Sequence, residues 1–359
     1  MGETWTIQRV LDWTTGYLGR KGEERPRLSA EWLLSYVTGL SRVELYTNFD
    51  RPLDREELAE MHTAVARRAQ GEPLQYVTGE MPFRHIVLRC EPGVLIPRPE
   101  TEILVDAAVE GVDAAPEEGY VPEGYDPDPV PVARVSDTLG TDAPGEDADE
   151  KDDGEAEVDA EANAEPKPAA GPEEPSAPPE PLTRGPLVLD LCTGTGCIAL
   201  SIAGERPATR VVATDLSPTA VALARRNRDA LDLTDRVEVL ECDLASAVDP
   251  RLAGHFSVVV SNPPYIPTEV LEREVPAEVK DFEPHLALDG GMDGLDIFRR
   301  ILAGAPSLLA PGGMLCVELF EGSLAQAADL VRKQGGWARV EVREDLTHRP
   351  RVLVCVREA

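Results

Sequence analysis

The chain has 359 residues, 42% hydrophobic and 28% charged, enough apolar mass for one sizeable core with a smaller domain beside it, which rules out a peptide-like scaffold. Its formal charge is -31, and residues 111–180 alone hold 22 Asp/Glu against three Lys/Arg, so nonspecific attraction to a phosphate backbone is disfavoured even outside that stretch. Six cysteines stand singly at 90, 192, 197, 242, 316 and 355 without CxxC spacing, and no run reaches 18 uninterrupted apolar residues; the expectation is a soluble cytoplasmic protein with no metal site, signal peptide or membrane span.

Trp5, Val10, Leu11 and Leu18, then Leu28, Trp32, Leu33 and Val37, recur at helical spacing over residues 5–18 and 28–38. A third helix is predicted from Asp54, whose carboxylate can cap free amides while Glu57 completes the reciprocal box; Leu58, Met61, Val65 and Ala69 form its buried stripe. Residues 1–75 thus read as a small helical domain. In residues 76–110, segments 83–90 and 94–96, separated by Glu91-Pro92-Gly93, read as a connecting β-hairpin. Pro97 and Pro99 then restrict the backbone twice before a helical pattern from Ile103 to Val109, and this stiff corner presents Arg98, Glu100 and Glu102 as candidate substrate contacts. Residues 111–185, rich in Pro, Glu, Asp, Ala and Gly, hold too few large apolar groups to offset chain entropy. A disordered acidic insertion is predicted there, with an acidic binding tail as the other reading.

From residue 186 strands and helices alternate. Strands are predicted over 187–191, 210–214, 236–240, 256–261, 313–319 and 337–342, with helices near 197–204, 218–231, 293–309 and 322–333. The run from Arg351 to Val356 adds an edge strand. The fold class is α/β, a mostly parallel sheet covered by helices, whose ligand crevice lies beyond the carboxyl ends of the strands.

Two sets of residues at those ends carry chemistry. Asp190 and the loop Cys192-Thr193-Gly194-Thr195-Gly196 turn a strand into a helix, where glycine admits close ligand approach, and Asp215 follows 21 residues after Gly194 at the end of the next strand. This pattern alone fits either NAD or S-adenosyl-L-methionine. A carboxylate directly before the loop favours the second, because it can pair with a cationic amino-acid moiety and would repel a pyrophosphate. Asp215 can accept both ribose hydroxyls, and Asp243, beside Leu244, can accept the adenine amino group. The plainer reading of each Asp is a helix cap or a solvated turn.

The second set is Asn262-Pro263-Pro264-Tyr265, which follows the apolar strand 256–261. If the Asn262 side-chain oxygen and the Pro263 carbonyl each accept one N–H of a planar NH2 group, they orient its nitrogen for in-line attack and favour the developing charge. Pro263 and Pro264 stiffen the turn, and Tyr265 can stack on the planar group. Glu274 and Glu283 are read as solvated rather than as part of a substrate mouth, and Gly290-Gly291-Met292-Asp293-Gly294 as a flexible turn.

These residues resemble the glutamine methyltransferases that modify peptide chain release factors. The likeness rests on segment 75–79 (QYVTG), 93–102 (GVLIPRPETE), the loop from Asp190 to Gly196, NPPY at 262–265 and 282–291 (FEPHLALDGG), and it covers nearly the whole chain outside 111–185. The resemblance implies a five-helix-like N-terminal domain that docks a release factor and a seven-stranded, Rossmann-like class I methyltransferase domain. It implies methylation of the glutamine of a Gly-Gly-Gln motif on its side-chain nitrogen, with S-adenosyl-L-methionine as cofactor. Cofactor positions carry over to Cys192, Thr193, Gly194, Thr195, Gly196, Asp215, Asp243 and Leu244, with Asn262 bordering them. Substrate positions carry over to Asn262 through Tyr265. Two departures stand out: the family commonly has glycine at Cys192 and an aromatic near Leu244. A monomer without a stable nucleic-acid partner is expected. The competing readings are an adenine-N6 methyltransferase, whose flipped base presents a similar planar amine, and a noncatalytic binding module.

Overall fold

The computed structural model describes residues 4–116 and 185–359, so most of the predicted acidic insertion lies outside the described residues. Five helices open the chain: α1 (Ile7–Arg20), α2 (Pro26–Thr38), α3 (Arg42–Thr47), α4 (Arg55–Ala69) and α5 (Leu74–Thr78). The reciprocal box at α4 forms as the sequence predicts, with Asp54 accepting from the Glu56 and Glu57 amides and Glu57 returning to the Asp54 amide. Helices α3 and α5, six and five residues long, fall below the length at which periodicity can be read from sequence. Leu11, Leu18, Leu33, Leu34, Leu45 and Met61 close a separate core for this module. Glu31 is buried within it, yet its carboxylate accepts from Arg27, Arg42 and Tyr46, which satisfies the charge.

The hairpin differs from the prediction. Its strands are β1 (Glu80–Phe83) and β2 (Ile86–Arg89), paired antiparallel around a two-residue turn at Arg84 and His85, where Arg84 adopts φ 50°. Segment 94–96 is not a strand but a loop. Asn227 ties this hairpin to the sheet domain: its side-chain oxygen accepts from the Arg89 amide at 2.9 Å, and its NH2 donates to the Arg89 and Thr195 carbonyls.

Helix α6 (Thr101–Ala114) runs four residues further than the predicted linker boundary at 110, because Gly111 lets it lie on the sheet. A Cβ at Gly111 would sit 2.7 Å from Val258 and 3.0 Å from the Met314 sulfur. Beyond it come β3 (Leu187–Leu191), α7 (Cys197–Glu205), β4 (Arg210–Asp215), α8 (Pro218–Ala230), β5 (Val237–Glu241), β6 (Phe256–Ser261), α9 (Thr268–Arg273), α10 (Ala277–Phe282), α11 (Asp296–Leu308), β7 (Leu309–Glu318), α12 (Leu324–Gln334), β8 (Trp337–Glu344) and β9 (Pro350–Arg357). The seven-stranded sheet has the order β5-β4-β3-β6-β7-β9-β8, parallel except for the antiparallel pairings of β9 with β7 and β8.

Strand β9 corrects the sequence reading: it is interior, and β8 forms the edge. Val352, Leu353, Val354 and Cys355 are all fully buried, as a strand covered on both faces requires, whereas WARVEVRE in β8 keeps charged side chains along its length. Side chains alternate between two cores. Val188, Val258, Val260, Met314 and Cys316 face α6 and α7, while Leu189, Val259, Leu315 and Val317 face α11 and α12. Among the described residues no helix is long and apolar enough to cross a membrane.

Candidate active site

The carboxyl ends of β3, β4, β5 and β6 open into one cleft, closed opposite by the loop at 93–98 and by segment 284–289. Neighbouring strand ends are stitched together: Thr193 N donates to Thr214 O, Cys242 N to Asp215 O, and Ser261 Oγ to Leu191 O. Cys192, Thr193, Gly194, Thr195, Asp215, Asp243, Leu244, Asn262, Pro264 and Arg98 all line this cleft, so most residues selected from sequence meet at one place.

Gly194 and Gly196 have separate jobs. At Gly194, φ is 58° and a Cβ would meet nothing within 4 Å, so the bare backbone faces open cleft. At Gly196, φ is 85° and a Cβ would press on Leu200 at 2.9 Å, so this glycine seats α7 against its own first turn and does not line the wall. Cys192 and Leu244, the two departures from the family pattern, both adopt left-handed backbone, at φ 61° and φ 50°. Glycine at the first position is the unstrained choice; cysteine holds the same turn at some cost.

Asp215 is held between its own turn and the glycine loop. Its two oxygens accept from the Gly194 and Ser217 amides, each at 2.9 Å, and burial nonetheless pushes its carboxyl pKa up. Each oxygen keeps lone-pair capacity for a further donor, which suits a pair of vicinal hydroxyls. Asp243 is half exposed and paired with Arg300 at 2.6 Å, a cleft residue 57 positions away for which the sequence carries no local signal.

Several candidates lie off the cleft wall. Asp190, on the face of β3 shared by Val188, is fully buried behind the loop, where one oxygen accepts from the Thr193 hydroxyl at 2.6 Å and the Ala199 amide at 3.2 Å. It thereby caps α7 in place of Gly196, and burial raises its pKa to about 7. Its other oxygen has no hydrogen-bond partner, nor do the Thr195 and Thr214 hydroxyls, so unsatisfied polar atoms gather around the glycine loop.

Pro263 is buried, and the Tyr265 ring packs against the core on the α11 side, not on the cleft wall. The Tyr265 hydroxyl donates to Glu318 at 3.0 Å, and burial raises its pKa well above the ordinary range. That placement disagrees with a stacking wall. Glu102 is spent on the hairpin, accepting from the Arg84 amide, and neither it nor Glu100 reaches the cleft. Arg98 does, but its guanidinium pairs with Glu283.

Two readings of polar segments are overturned. Glu283 is buried, not solvated: one oxygen holds Arg98 and the other accepts from the Ile96 amide at 3.1 Å, clamping the loop at 93–98 onto the segment after α10. The turn at 290–294 is packed, not flexible. Gly290 N donates to Ile266 O, Ile266 N donates to Leu288 O, and a Cβ at Gly290 would lie 2.7 Å from Tyr265 Cα and 2.9 Å from Gly294 Cα. This turn is the back wall of the NPPY segment. Asn262 itself donates through Nδ2 to the hydroxyl of Thr101, a cleft residue that sequence inspection passed over although it sits inside the PRPETE run.

The residues present fit an adenosyl-methionine better than a dinucleotide phosphate. Asp215 offers acceptors only, and no Arg or Lys side chain lies among the loop residues 192–197 that would meet a pyrophosphate; Asp190, buried behind the loop, fixes the loop and does not reach the cleft.

The sequence matches the PrmC N-terminal domain family over residues 9–79 and the methyltransferase small domain family over residues 180–292. A release factor glutamine methyltransferase of Geobacter sulfurreducens is 38% identical over 333 residues, covering 93% of this chain and 90% of the relative. One from Streptomyces coelicolor is 34% identical over 337 residues, covering 94% and 93%. Among solved structures, a methyltransferase from Pyrococcus furiosus is similar at 18% identity and a TM-score of 0.36, covering 48% of this chain and 75% of that one.

Proposed function

The chain belongs to the release factor glutamine methyltransferase family, and from that premise we propose that it methylates the side-chain amide nitrogen of the glutamine in the Gly-Gly-Gln motif of a peptide chain release factor, using S-adenosyl-L-methionine. The observation that carries this reading is the opening of the glycine loop, Asp215 and Asn262 into a single cleft.

The cofactor supplies an electrophilic methyl group when bound. Gly194 would admit it against bare backbone, Asp215 would accept hydrogen bonds from its ribose hydroxyls, Cys192, Thr193, Thr195 and Leu244 would shape its walls, and the Arg300–Asp243 pair would border the site. Asp190 and Gly196 act behind the wall by fixing the loop. The substrate amide is held by two acceptors, Asn262 Oδ1 and the Pro263 carbonyl, which draw both N–H bonds into one plane and leave the nitrogen facing the cofactor. An amide nitrogen is a weak nucleophile because its lone pair is delocalised into the carbonyl; acceptors on its hydrogens favour the positive charge that develops there. The nitrogen becomes acidic as it is alkylated, so its proton passes to solvent without a dedicated base. Pro264 stiffens the turn. Tyr265 is proposed to act indirectly, from the core side of the segment.

The helical module of residues 1–75 is the proposed release-factor dock. The protein is proposed to work as a cytoplasmic monomer, and its -31 charge supports the absence of a stable nucleic-acid partner. The test is mass spectrometry of the Gly-Gly-Gln peptide of an intact release factor after incubation with S-adenosyl-L-methionine. One added methyl on the glutamine is expected. Labelled methyl appearing only in DNA or RNA offered in parallel would defeat the assignment in favour of an adenine-N6 methyltransferase.

A further inference from the structure

Behind Asn262 lies a buried polar chain that the reaction as described does not use. Glu318 ends β7 on the face set by Met314 and Cys316, and is 1% exposed. Its Oε1 accepts from the Tyr265 hydroxyl at 3.0 Å, and Oε2 is buried without a partner. Burial pushes its pKa up, while hydrogen bonding from Thr101 and Tyr265 and the charge of Arg351 act against that rise. Thr101, also 1% exposed, opens α6, and its hydroxyl receives Asn262 Nδ2 at 3.2 Å. Residues 101, 262, 265 and 318 come from three segments far apart in sequence, and they meet only here.

The directions of these hydrogen bonds are not free. A carboxylate only accepts, and a threonine hydroxyl has one hydrogen to give. If Thr101 gives that hydrogen to Glu318, it can only accept from its other neighbour, so Asn262 must turn its NH2 toward Thr101. The Asn262 oxygen then faces the cleft. Turned the other way, Asn262 would set its own oxygen against an oxygen that has no hydrogen left, and would present NH2 to the NH2 of a substrate amide.

Resting on the proposed reaction, the geometry points to Thr101 as a positioning residue, backed by Glu318 and Tyr265, that fixes the rotation of the Asn262 carboxamide so that its oxygen is the group offered to the substrate. It does not touch the reacting atoms. Its effect is confined to which end of Asn262 the substrate meets.

The test uses the full chain with Thr101→Val, which keeps the shape and removes the hydroxyl, and Thr101→Ser, which keeps the hydroxyl. Methylation of an intact release factor by Thr101→Val is expected to fall in kcat on the order of 10- to 100-fold, with cofactor Kd within about two-fold of wild type. Thr101→Ser is expected to return kcat to within about three-fold of wild type, since the positioning needs only the hydroxyl. Wild-type kcat in Thr101→Val, or an equal loss in Thr101→Ser, overturns the proposal. A second measurement needs no substrate: the side-chain 15N–1H2 signal of Asn262, identified by its loss in Asn262→Asp, should exchange slowly with solvent in wild type and Thr101→Ser. In Glu318→Gln, whose amide can face Thr101 as donor or acceptor, and in Thr101→Val if it folds, the signal should exchange faster. Equal exchange in wild type and Glu318→Gln overturns the proposal. Because this reading is taken without substrate, it decides the role of Thr101 even if the wild-type protein methylates no release factor, an outcome that would instead overturn the proposed function.

Discussion

Gly290→Ala tests whether the 290–294 turn is the back wall of the substrate segment. The added Cβ would lie 2.7 Å from Tyr265 Cα, 2.8 Å from Tyr265 C and 2.9 Å from Gly294 Cα. All three are backbone atoms, so no side-chain rotation relieves the overlap, and either the turn or the NPPY segment must move. Overpacking of this kind costs about 1–3 kcal/mol, and for a domain of this size ~2 kcal/mol corresponds to a Tm lower by about 4–8 °C. Because the displaced chain carries Asn262, kcat is expected to drop on the order of 10-fold or more while cofactor affinity holds. Gly304→Ala is the control: it lies inside α11 with nothing within 4 Å of its would-be Cβ, and alanine there should stabilise by about 0.5–1 kcal/mol. Thermal unfolding by calorimetry and single-turnover methylation read both variants. A Gly290→Ala protein with wild-type Tm and kcat would refute the packing argument.

Three further outcomes are expected. Asn262→Ala should lower the methyl-transfer rate on the order of 100-fold with cofactor binding nearly intact by titration calorimetry; loss of cofactor affinity alone contradicts its role. Asp190 keeps its proton in the folded chain to about pH 7 and releases it near pH 4 when unfolded, so stability is fully present below pH 4 and lost as pH rises toward 7, at up to about 1.4 kcal/mol per pH unit. Urea unfolding at pH 5 and pH 7 should therefore show a decline in wild type that Asp190→Asn lacks, and identical pH dependence would count against the burial of that carboxyl. Glu283→Ala strands the Ile96 amide and should cost about 1–3 kcal/mol, read as a lower urea midpoint; an unchanged midpoint would mean that the clamp between residues 96 and 283 does not form.

The sequence by itself determined whatever is encoded by local pattern. The glycine loop, the carboxylate 21 residues on, and NPPY after an apolar strand could be placed at strand ends because a strand has period two and the loop residues are chemically distinctive. The capping box at Asp54 was likewise legible, since both partners lie within three residues. Tertiary structure alone decided what depends on distant partners. The period that puts Asp190 on a strand also turns it toward α7 and away from the ligand, but only the register of the sheet says which face is which. Glu283 reads as one more charged residue until Arg98 and the Ile96 amide arrive from 185 and 187 positions away. The order of β8 and β9, the pairing of Asp243 with Arg300 and the meeting of Thr101 with Asn262 have the same origin. A buried polar group takes its role from whichever donor or acceptor the fold brings to it, and no local window of sequence contains that partner.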